Sequence, residues 1–452
     1  MMKDKKHRDL TEGSIIKNIF ALALPAMASN VFQTVLGLVD MVFVSRLGTS
    51  SIAAVGASGS VMFLIMTIAI SISIGTIALI ARFVGAGDSD YAGQVAIQAL
   101  IFGTIISSFL AFVGFFAARP LLTFLVSEAE VIDLGQQYLS IMFLGIATMF
   151  LSFLANGIMQ GSGDTFTPMV INGIAVGCNI IFDPLLIFGI SFLPRMGVRG
   201  AALATVMARG IGFAISLFIL VKGYSRLKLQ LSRFRIDFRI IWRIIKIALP
   251  SAIEMLTRSS AYFIFMKIVA IYGTVTVAAY VVGGRLDSLV WMPGFALATA
   301  SSTLVGQNLG AGKPERAEHS AWTTVGIYAA IMIFFGIIFY ILAPTLIGFF
   351  DRSQEVIRVG TNYFRITVFG YLFLAAAIVL SRSLNGAGDT ISPMLTTFVS
   401  SLGAQTMTAL LFLKYTDFAS DGLWFAMVIS MVVHATIISS WFKIGRWKHK
   451  SV

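Results

Sequence analysis

The chain has 452 residues, of which 57% are hydrophobic and only 12% are charged, and its mean hydropathy is +0.89. Soluble globular proteins carry about 25% charged residues, so this composition excludes that class. The formal net charge of +12 would suit a nucleic-acid partner. However, the basic residues concentrate in alternate loops between apolar segments, so we expect a lipid bilayer as the partner and no nucleic acid.

Apolar segments follow one another along the whole chain, with lengths suited to crossing a hydrocarbon core of about 30 Å. Twelve of them occupy residues 15–45, 52–81, 94–118, 135–158, 166–189, 200–222, 239–271, 275–307, 319–343, 359–381, 391–413 and 422–442. Backbone polar groups in lipid must be satisfied internally, and no strand-like alternation is present. The sequence therefore predicts an all-α integral membrane protein with twelve transmembrane helices.

The second six segments repeat the first six at a constant spacing of 225 residues. The pair Leu24-Pro25 recurs as Leu249-Pro250, and Gly-Ser-Gly-Asp-Thr at 161–165 recurs as Gly-Ala-Gly-Asp-Thr at 386–390. Six spans in each copy give both copies the same orientation in the membrane. We therefore predict two six-helix lobes related by a parallel pseudo-two-fold axis, an organisation typical of secondary transporters.

The predicted lobes cover residues 1–222 and 239–452, and a basic linker over residues 223–238 joins them. Most lysines and arginines outside the segments lie on the side of the membrane that holds this linker and both termini. The positive-inside rule therefore predicts cytoplasmic termini in a multi-pass protein of the cytoplasmic (inner) membrane. We expect a monomer whose lobes rock against each other about the linker.

One helical face of the first apolar segment is polar. Asn30, Gln33 and Asp40 share this face because they are spaced by 3 and 7 residues, close to whole helical turns. A carboxylate at membrane depth is costly and usually faces a cavity or a partner. Asp40 is therefore a candidate functional carboxylate, and an interfacial charge close to Arg46 is the alternative.

The fifth segment carries a second polar face, formed by Asn179 and Asp183. Amide and carboxylate oxygens on one face can bind a small cation or share a proton. Thr205, near the start of the sixth segment, can add a hydroxyl. The sequence therefore predicts a site for H⁺ or Na⁺ at Asp40, Asn179 and Asp183.

The second copy of the repeat lacks this polar set. The positions 225 residues after Asp40 and Asp183 hold Phe265 and Thr408. Proline and glycine positions that shape the helices, in contrast, recur in both copies. This asymmetry indicates that Asp40 and Asp183 do more than support the fold.

The second half has other charges inside its apolar segments. Glu254 and Arg258 are four residues apart and can neutralise each other along one helical face. Arg285 and Asp287 lie close together in the eighth segment. Two hypotheses stay open, an ion-pair network that stabilises the lobe and a role in coupling or in binding a charged substrate.

Signals of a soluble enzyme are missing. The 4 histidines have no metal-ligand spacing, and no His-Glu-x-x-His motif is present. The Gly-Ala-Gly-Lys at 310–313 lacks the first glycine and the final Ser/Thr of a phosphate-binding loop. We therefore expect no enzymatic activity, no cofactor and no metal ion other than Na⁺.

Several motifs together resemble the multidrug and toxic compound extrusion (MATE) family over nearly the whole chain. They are Ala23-Leu24-Pro25, Asp40 before Val44-Ser45-Arg46-Leu47-Gly48, Gly-Ala-Gly-Asp at 85–88, Gln-Gly-Ser-Gly-Asp-Thr at 160–165 and Gly-Ala-Ala-Leu-Ala-Thr at 200–205. The resemblance implies two six-helix lobes around a central cavity. It also implies an antiporter that exports small, drug-like and often cationic organic compounds by alternating access, against inward H⁺ or Na⁺.

Within this family, the polar positions favour one branch. Positions linked to cation coupling in the DinF-like and archaeal members match Asp40, Asn156, Asn179, Asp183 and Thr205. Glu254 resembles an acidic position of the NorM-like branch, but residues 359–381 contain no second acid of that branch. The resemblance is therefore closer to the DinF-like and archaeal branch.

The other membrane-depth polar residues are assigned to substrate binding or to a secondary polar site; they are Gln33, Asn30, Glu254, Arg258 and Arg285. The alternative function is a flippase of lipid-linked saccharides from the same superfamily. Such a flippase would need a wider and more cationic cavity, and only Arg258, Lys267 and Arg285 favour it.

Overall fold

The computed structural model describes residues 9–189, 194–229, 236–416 and 418–450. Helices occupy most of these ranges, and the described residues contain no β-strand. The predicted all-α class is confirmed. The basic residues before residue 9, and residues 230–235 of the predicted linker, lie outside the described residues.

The first half of the chain forms seven helices in the described residues: α1 (Ile15–Ser45), α2 (Thr49–Gly85), α3 (Ser89–Leu125), α4 (Ala129–Leu144), α5 (Ile146–Gly161), α6 (Phe166–Phe188) and α7 (Val198–Lys222). Helices α4 and α5 make one span that bends by 52°. The bend lies at Gly145, where a Cβ would stand 2.3 Å from Cγ1 of Val206 on α7. Glycine therefore permits this close approach of two helices.

The second half forms eight helices in the described residues: α8 (Phe238–Ile271), α9 (Thr274–Gly310), α10 (Pro314–Phe350), α11 (Gln354–Thr367), α12 (Tyr371–Gly386), α13 (Ile391–Thr397), α14 (Thr406–Tyr415) and α15 (Asp421–Ile444). A 3₁₀ turn over Val368–Gly370 joins α11 to α12, and a π-helical stretch over Phe398–Gln405 joins α13 to α14. Each joined set forms one span.

The spans of the described chain correspond to the predicted segments. Ten helices or joined helices are long and apolar enough to cross a membrane, and the bent α4–α5 pair makes an eleventh. Helix α8 is less apolar because charged residues, among them Glu254 and Arg258, lie along it. It coincides with the seventh predicted segment, so each of the twelve predicted segments falls on a helix or a joined set.

Contacts divide the chain into two compact units whose boundaries fall at the repeated Leu-Pro pairs. One unit contains Leu24–Ala248, and the other contains Asp9–Ala23 together with the described residues from Leu249 onwards. Helices α1 and α8 therefore each contribute their first part to one unit and the remainder to the other. The compact units and the predicted sequence lobes are thus different divisions of the chain.

The segment before α1 is anchored within the second unit. Leu10 is only 2% exposed and belongs to the core of that unit. Arg316 Nη2, at the start of α10, lies 2.8 Å from the carbonyl oxygens of both Glu12 and Gly13. Asn18 Nδ2 donates to the carbonyl oxygen of Glu12 at 3.0 Å. These bonds satisfy carbonyl groups that precede the helix and fix its entry into the unit.

The repeat is visible in side-chain contacts as well as in sequence. Asp164 accepts hydrogen bonds from the Thr167 amide at 3.0 Å and from Ser225 Oγ at 2.9 Å. Its counterpart Asp389 forms an ion pair with Lys450 Nζ at 2.9 Å. Ser225 and Lys450 are again 225 residues apart. Equivalent positions of the two copies therefore bind the equivalent aspartates, although one is a serine and the other a lysine.

Candidate functional site

The first unit brings together four residues of the predicted cation site. Thr205 Oγ1 lies 3.2 Å from Asp40 Oδ2, and Asn179 Nδ2 donates to Asp183 Oδ1 at 3.4 Å. The Asp40 and Asp183 carboxyl groups lie within hydrogen-bond reach of each other. Asn179 and Asp183 are 0% exposed, whereas Asp40 is half-buried. Side chains from α1, α6 and α7 thus form one cluster.

Three oxygens of this cluster have unused acceptor capacity. Asp40 Oδ1, Asp183 Oδ2 and Asn179 Oδ1 are buried, and the described residues supply no hydrogen-bond donor to them. A buried acceptor without a donor costs about 1–3 kcal/mol, and two ionised carboxylates at this distance repel each other. The arrangement has the chemistry to accept a shared proton or a small cation with oxygen ligands.

Close packing of α6 and α7 positions this cluster. Gly200, in the first turn of α7, lies so near α6 that a Cβ on it would stand 2.4 Å from the carbonyl oxygen of Leu186. Small residues permit such backbone contact between membrane helices. Pro184, directly after Asp183, lies inside α6 and cannot donate to the carbonyl oxygen of Ile180. These two features bring Thr205 and Asp183 into one site.

A buried arginine that sequence reasoning missed lies one turn from Thr205. Arg209 is 8% exposed, and its Nη2 donates to Gln33 Oε1 at 2.5 Å. Its Nε has no hydrogen-bond partner among the described residues. Its charge acts on Asp40, which lies on the same polar face of α1 as Gln33. The sequence did contain a signal for Arg209, because this arginine lies inside an apolar segment and four residues after Thr205, on the same helical face.

Asn156 and Asn30 are not hydrogen-bonded to the carboxyl groups in the described part of the chain. Asn156, which is 9% exposed on α5, lines a small cavity. Arg209 and Asn172 line the same cavity, and Asn172 Nδ2 donates to Ser29 Oγ at 2.6 Å. The side chain of Asn30 is half-buried. Asn156 therefore belongs with the Arg209 cavity.

The second unit contains an ion pair and a carboxyl group held by tyrosines. Arg258 Nη2 lies 3.1 Å from Glu254 Oε1, with the arginine side chain 54% exposed and the glutamate side chain 11% exposed. Asp287 is 1% exposed and accepts hydrogen bonds at 2.5 Å from the hydroxyl groups of Tyr363 and Tyr371. Both carboxyl groups have partners. The spacing of eight residues between the tyrosines, about two helical turns, was the sequence signal for this second cluster.

Metal-binding clusters of the usual kind are not found in the described ranges. No group of three or more His, Cys, Asp or Glu residues is placed to hold a metal ion there. The cluster around Asp40 has only two acidic residues, so a cation would also need amide and hydroxyl oxygens. Such hard oxygen ligands suit a small cation rather than a transition metal.

The duplicated architecture defines the class of this protein, and a family match to both copies defines its family. Two copies of a six-span bundle with polar clusters at membrane depth define a multi-pass membrane transporter. The MatE family model matches residues 25–185 and 250–411, so its two matches begin 225 residues apart. The chain belongs to the MatE family.

Relatives match the chain along most of its length. A probable multidrug resistance protein NorM of Thermotoga maritima is 28% identical over 450 residues, which cover 97% of this chain and 94% of that protein. An FAD transporter of Shewanella oneidensis is 28% identical over 388 residues, covering 85% and 84% of the two chains. These relatives are named as transport or resistance proteins, so the family is one of transporters and not of enzymes.

Solved structures of the family share this fold. A MOP-superfamily transporter from Pyrococcus furiosus Vc1 is 26% identical, has a TM-score of 0.90, and covers 99% of this chain and 100% of its own. A crystal structure of MATE in the bent conformation is 26% identical, has a TM-score of 0.91 and covers 98% of both chains. The predicted fold of twelve transmembrane helices in two lobes is confirmed.

Proposed function

We propose that the protein is a cation-coupled antiporter that exports drug-like, often cationic organic compounds across the cytoplasmic membrane by alternating access. The observation that carries this proposal is the cluster of Asp40, Asp183 and Asn179, in which one oxygen of each side chain has no donor among the described residues. Membrane-depth carboxyl groups of this kind mark ion pathways in transporters. The family and the multidrug resistance relatives support export of drug-like compounds.

The charge of the cluster favours one coupling ion per transport cycle. Ionised Asp40 and Asp183 carry two negative charges, and Arg209 supplies one positive charge that acts on Asp40. One H⁺ or one Na⁺ therefore brings the cluster to neutrality, and a second ion would leave a buried positive charge. The Asn179 amide nitrogen and the Thr205 hydroxyl group donate to the carboxyl groups and orient them.

Coupling requires that the ion and the compound prefer different states of the transporter. Only a difference in affinity between two states can shift their equilibrium. In this proposal, the ionised cluster belongs to the state that binds the exported compound, and the neutral cluster belongs to the state that releases it outside. The inward ion gradient then drives export, because the cation enters from outside and leaves to the cytoplasm.

The family matches favour drug export over saccharide flipping. The relatives named above are a multidrug resistance protein and an FAD transporter. Within the family, we propose a position nearer the DinF-like and archaeal branch, because the polar cluster lies in the first unit and residues 359–381 contain no acid. We further propose that both termini lie in the cytoplasm, on the basis of the basic loops, and that the protein acts as a monomer.

The proposal is tested by imposing an H⁺ gradient and a Na⁺ gradient in separate transport measurements. Purified protein is reconstituted into liposomes that are loaded with a fluorescent cationic drug. Efflux of the drug is measured under an imposed H⁺ gradient and, separately, under an imposed Na⁺ gradient. Wild type should respond to one gradient. Asp40→Asn and Asp183→Asn should each lose at least 90% of the gradient-driven efflux, because a neutral amide cannot cycle between charged and neutral forms.

A matched control distinguishes coupling from general damage. Asp133→Asn removes a carboxylate whose ion pair with Arg119 is exposed, with side chains 57% and 58% exposed. It should retain wild-type efflux. Full gradient-driven efflux by both Asp40→Asn and Asp183→Asn would refute the coupling site.

A further inference from the structure

The guanidinium group of Arg209 in the first unit has hydrogen-bond donors to spare. Its Nη2 donates to Gln33 Oε1, and its Nε is buried without an acceptor in the described part of the chain. A guanidinium group has five N–H donors in all. Beside it is the small cavity that Asn156 and Asn172 also line. Arg209 is therefore a buried cation with unused donors and with space to change rotamer.

Asp40 is the complementary group. Its Oδ1 is a buried acceptor to which the described residues donate no hydrogen bond, and the opposite charges of Asp40 and Arg209 attract each other. Thr205 contacts Asp40, and Arg209 follows Thr205 by one turn of α7. Long helical side chains lean towards the N-terminal turn, so Arg209 extends towards the level of Thr205 and Asp40. A change of rotamer can therefore bring an unused donor of Arg209 to the unused acceptor of Asp40.

Arg209 can replace the charge of the coupling ion after the ion has left. Ionised Asp40 and Asp183 repel each other, and a buried charge without a partner is strongly destabilising. Their charges also act on Tyr138 of α4, which is 7% exposed, but a tyrosine is neutral at physiological pH. Helix α5 carries no ionisable side chain. Within the described part of this cluster, Arg209 is thus the cation that can take the place of the ion.

We propose that Arg209 is an internal substitute for the coupling ion. The guanidinium group pairs with Asp40 when the cluster is ionised, and it returns to Gln33 when an ion is bound. This inference rests on the proposed antiport, for which it assigns the residue that balances the charge of the ion-free site. Because Gln33 and Asp40 lie two turns apart on α1, the exchange changes which level of α1 is bonded to α7. The charge of the site is thereby linked to the packing of two helices.

Competition between ions and a bound organic cation measures this exchange. Binding of ethidium, a fluorescent cation, to purified protein in detergent is followed by anisotropy while H⁺ and, separately, Na⁺ are titrated. In wild type, one ion should displace ethidium with a logarithmic slope of one, because Arg209 balances one carboxylate. Arg209→Gln leaves both carboxylates without an internal cation. Its slope should approach two, and half-displacement should need about tenfold less ion.

Gln33→Leu should shift the ion dependence in the opposite direction. It removes the acceptor that holds Arg209 in the ion-bound form, so the guanidinium group stays with Asp40. The slope should remain one, and half-displacement should need about tenfold more ion, since one charge-assisted hydrogen bond is lost. Arg209→Lys retains the charge and should keep a slope of one. Ser216→Ala, in the same cavity, removes a hydroxyl group bonded within its own helix and should change neither value.

The inference is overturned if Arg209→Gln keeps the wild-type slope and midpoint, or if Gln33→Leu shifts the midpoint in the same direction as Arg209→Gln. A purely structural role predicts the second result, since both variants break the same hydrogen bond. If Arg209→Gln does not fold, the direction of the shift in Gln33→Leu decides the question. Ion-dependent ethidium binding in wild type with unchanged variants refutes this inference alone. Wild-type binding that responds to neither ion refutes the proposed antiport itself, and this inference with it.

Discussion

Carboxyl groups at membrane depth have two different kinds of environment in this protein. Asp287 accepts two hydrogen bonds from tyrosine hydroxyl groups on α11 and α12, so it ties these helices to α9. Asp40 and Asp183 face each other, and one oxygen of each has no donor among the described residues. The first arrangement is complete by itself, whereas the second has capacity for an ion.

Asp287→Asn should therefore reduce stability and leave transport in place. An asparagine retains the shape of the side chain, but both tyrosines lose an ionised acceptor, which should lower the free energy of unfolding by about 2 kcal/mol. Thermal unfolding in detergent and gradient-driven efflux from liposomes measure the two effects. Efflux lost as completely as in Asp40→Asn would contradict a structural role for Asp287.

Sequence reasoning found the acidic residues more readily than their partners. Asp40 and Asp183 are conspicuous because lipid excludes a carboxylate, and the repeat shows that their counterparts are Phe265 and Thr408. Arg209 pairs with Gln33 across two helices that are distant in sequence, so helical spacing along one segment could not reveal the contact. Partners of this kind follow from tertiary packing.

At the scale of helices, Gly200 sets the distance between α6 and α7. Gly200→Ala would place a Cβ 2.4 Å from the carbonyl oxygen of Leu186, so the helices must separate. Overpacking of this kind costs about 1–3 kcal/mol, and it should also move Thr205 away from Asp40. We expect a lower melting temperature and reduced efflux, measured on purified protein in detergent and in liposomes.

Gly177 on α6 provides a matched control for this change. A Cβ at Gly177 would meet nothing within 4 Å. Gly177→Ala should therefore keep wild-type efflux and raise stability by up to about 1 kcal/mol, the difference in helix propensity between glycine and alanine. Equal loss of efflux in both variants would show that contact between α6 and α7 at Gly200 is not the cause.

The transmembrane spans could be predicted from the sequence, whereas their bends and irregular turns could not. A long apolar segment predicts a spanning helix, and each of the twelve predicted segments falls on a helix or a joined set of helices. The bend between α4 and α5 depends on Val206 packing against Gly145. The π-helical stretch before α14 contains Ser400, which is bonded to His434 at 2.9 Å. Both irregularities coincide with contacts between distant segments, which no single segment encodes.

At the scale of the whole molecule, alternating access predicts two distance populations between the repeats. Positions 90 and 315 are equivalent in the repeat and lie in the first turns of α3 and α10. Spin labels are attached to cysteines at these two positions in a Cys178→Ala variant, which lacks the native cysteine. Pulsed electron paramagnetic resonance should then give two distances between the labels. Their ratio should change with the coupling ion and with drug, because each ligand favours one state.

A matched label pair within one unit serves as the reference for this measurement. Positions 90 and 130 both lie in the first unit and should keep one distance under all conditions. A single, unchanged distance between positions 90 and 315 with and without the ion and drug would contradict alternating access.

The exchange of helix segments at the two Leu-Pro pairs has a consequence for biosynthesis. Asp9–Ala23 is translated before the residues of the first unit that follow it, but it packs with the unit whose other residues begin at Leu249. Similarly, the first unit is incomplete until residues up to Ala248 have been made. Neither half of the duplication, translated alone, contains all the residues of either compact unit. An ancestral single-copy protein could have reproduced this exchange only as a dimer, in which the first segment of each subunit packs with the other subunit.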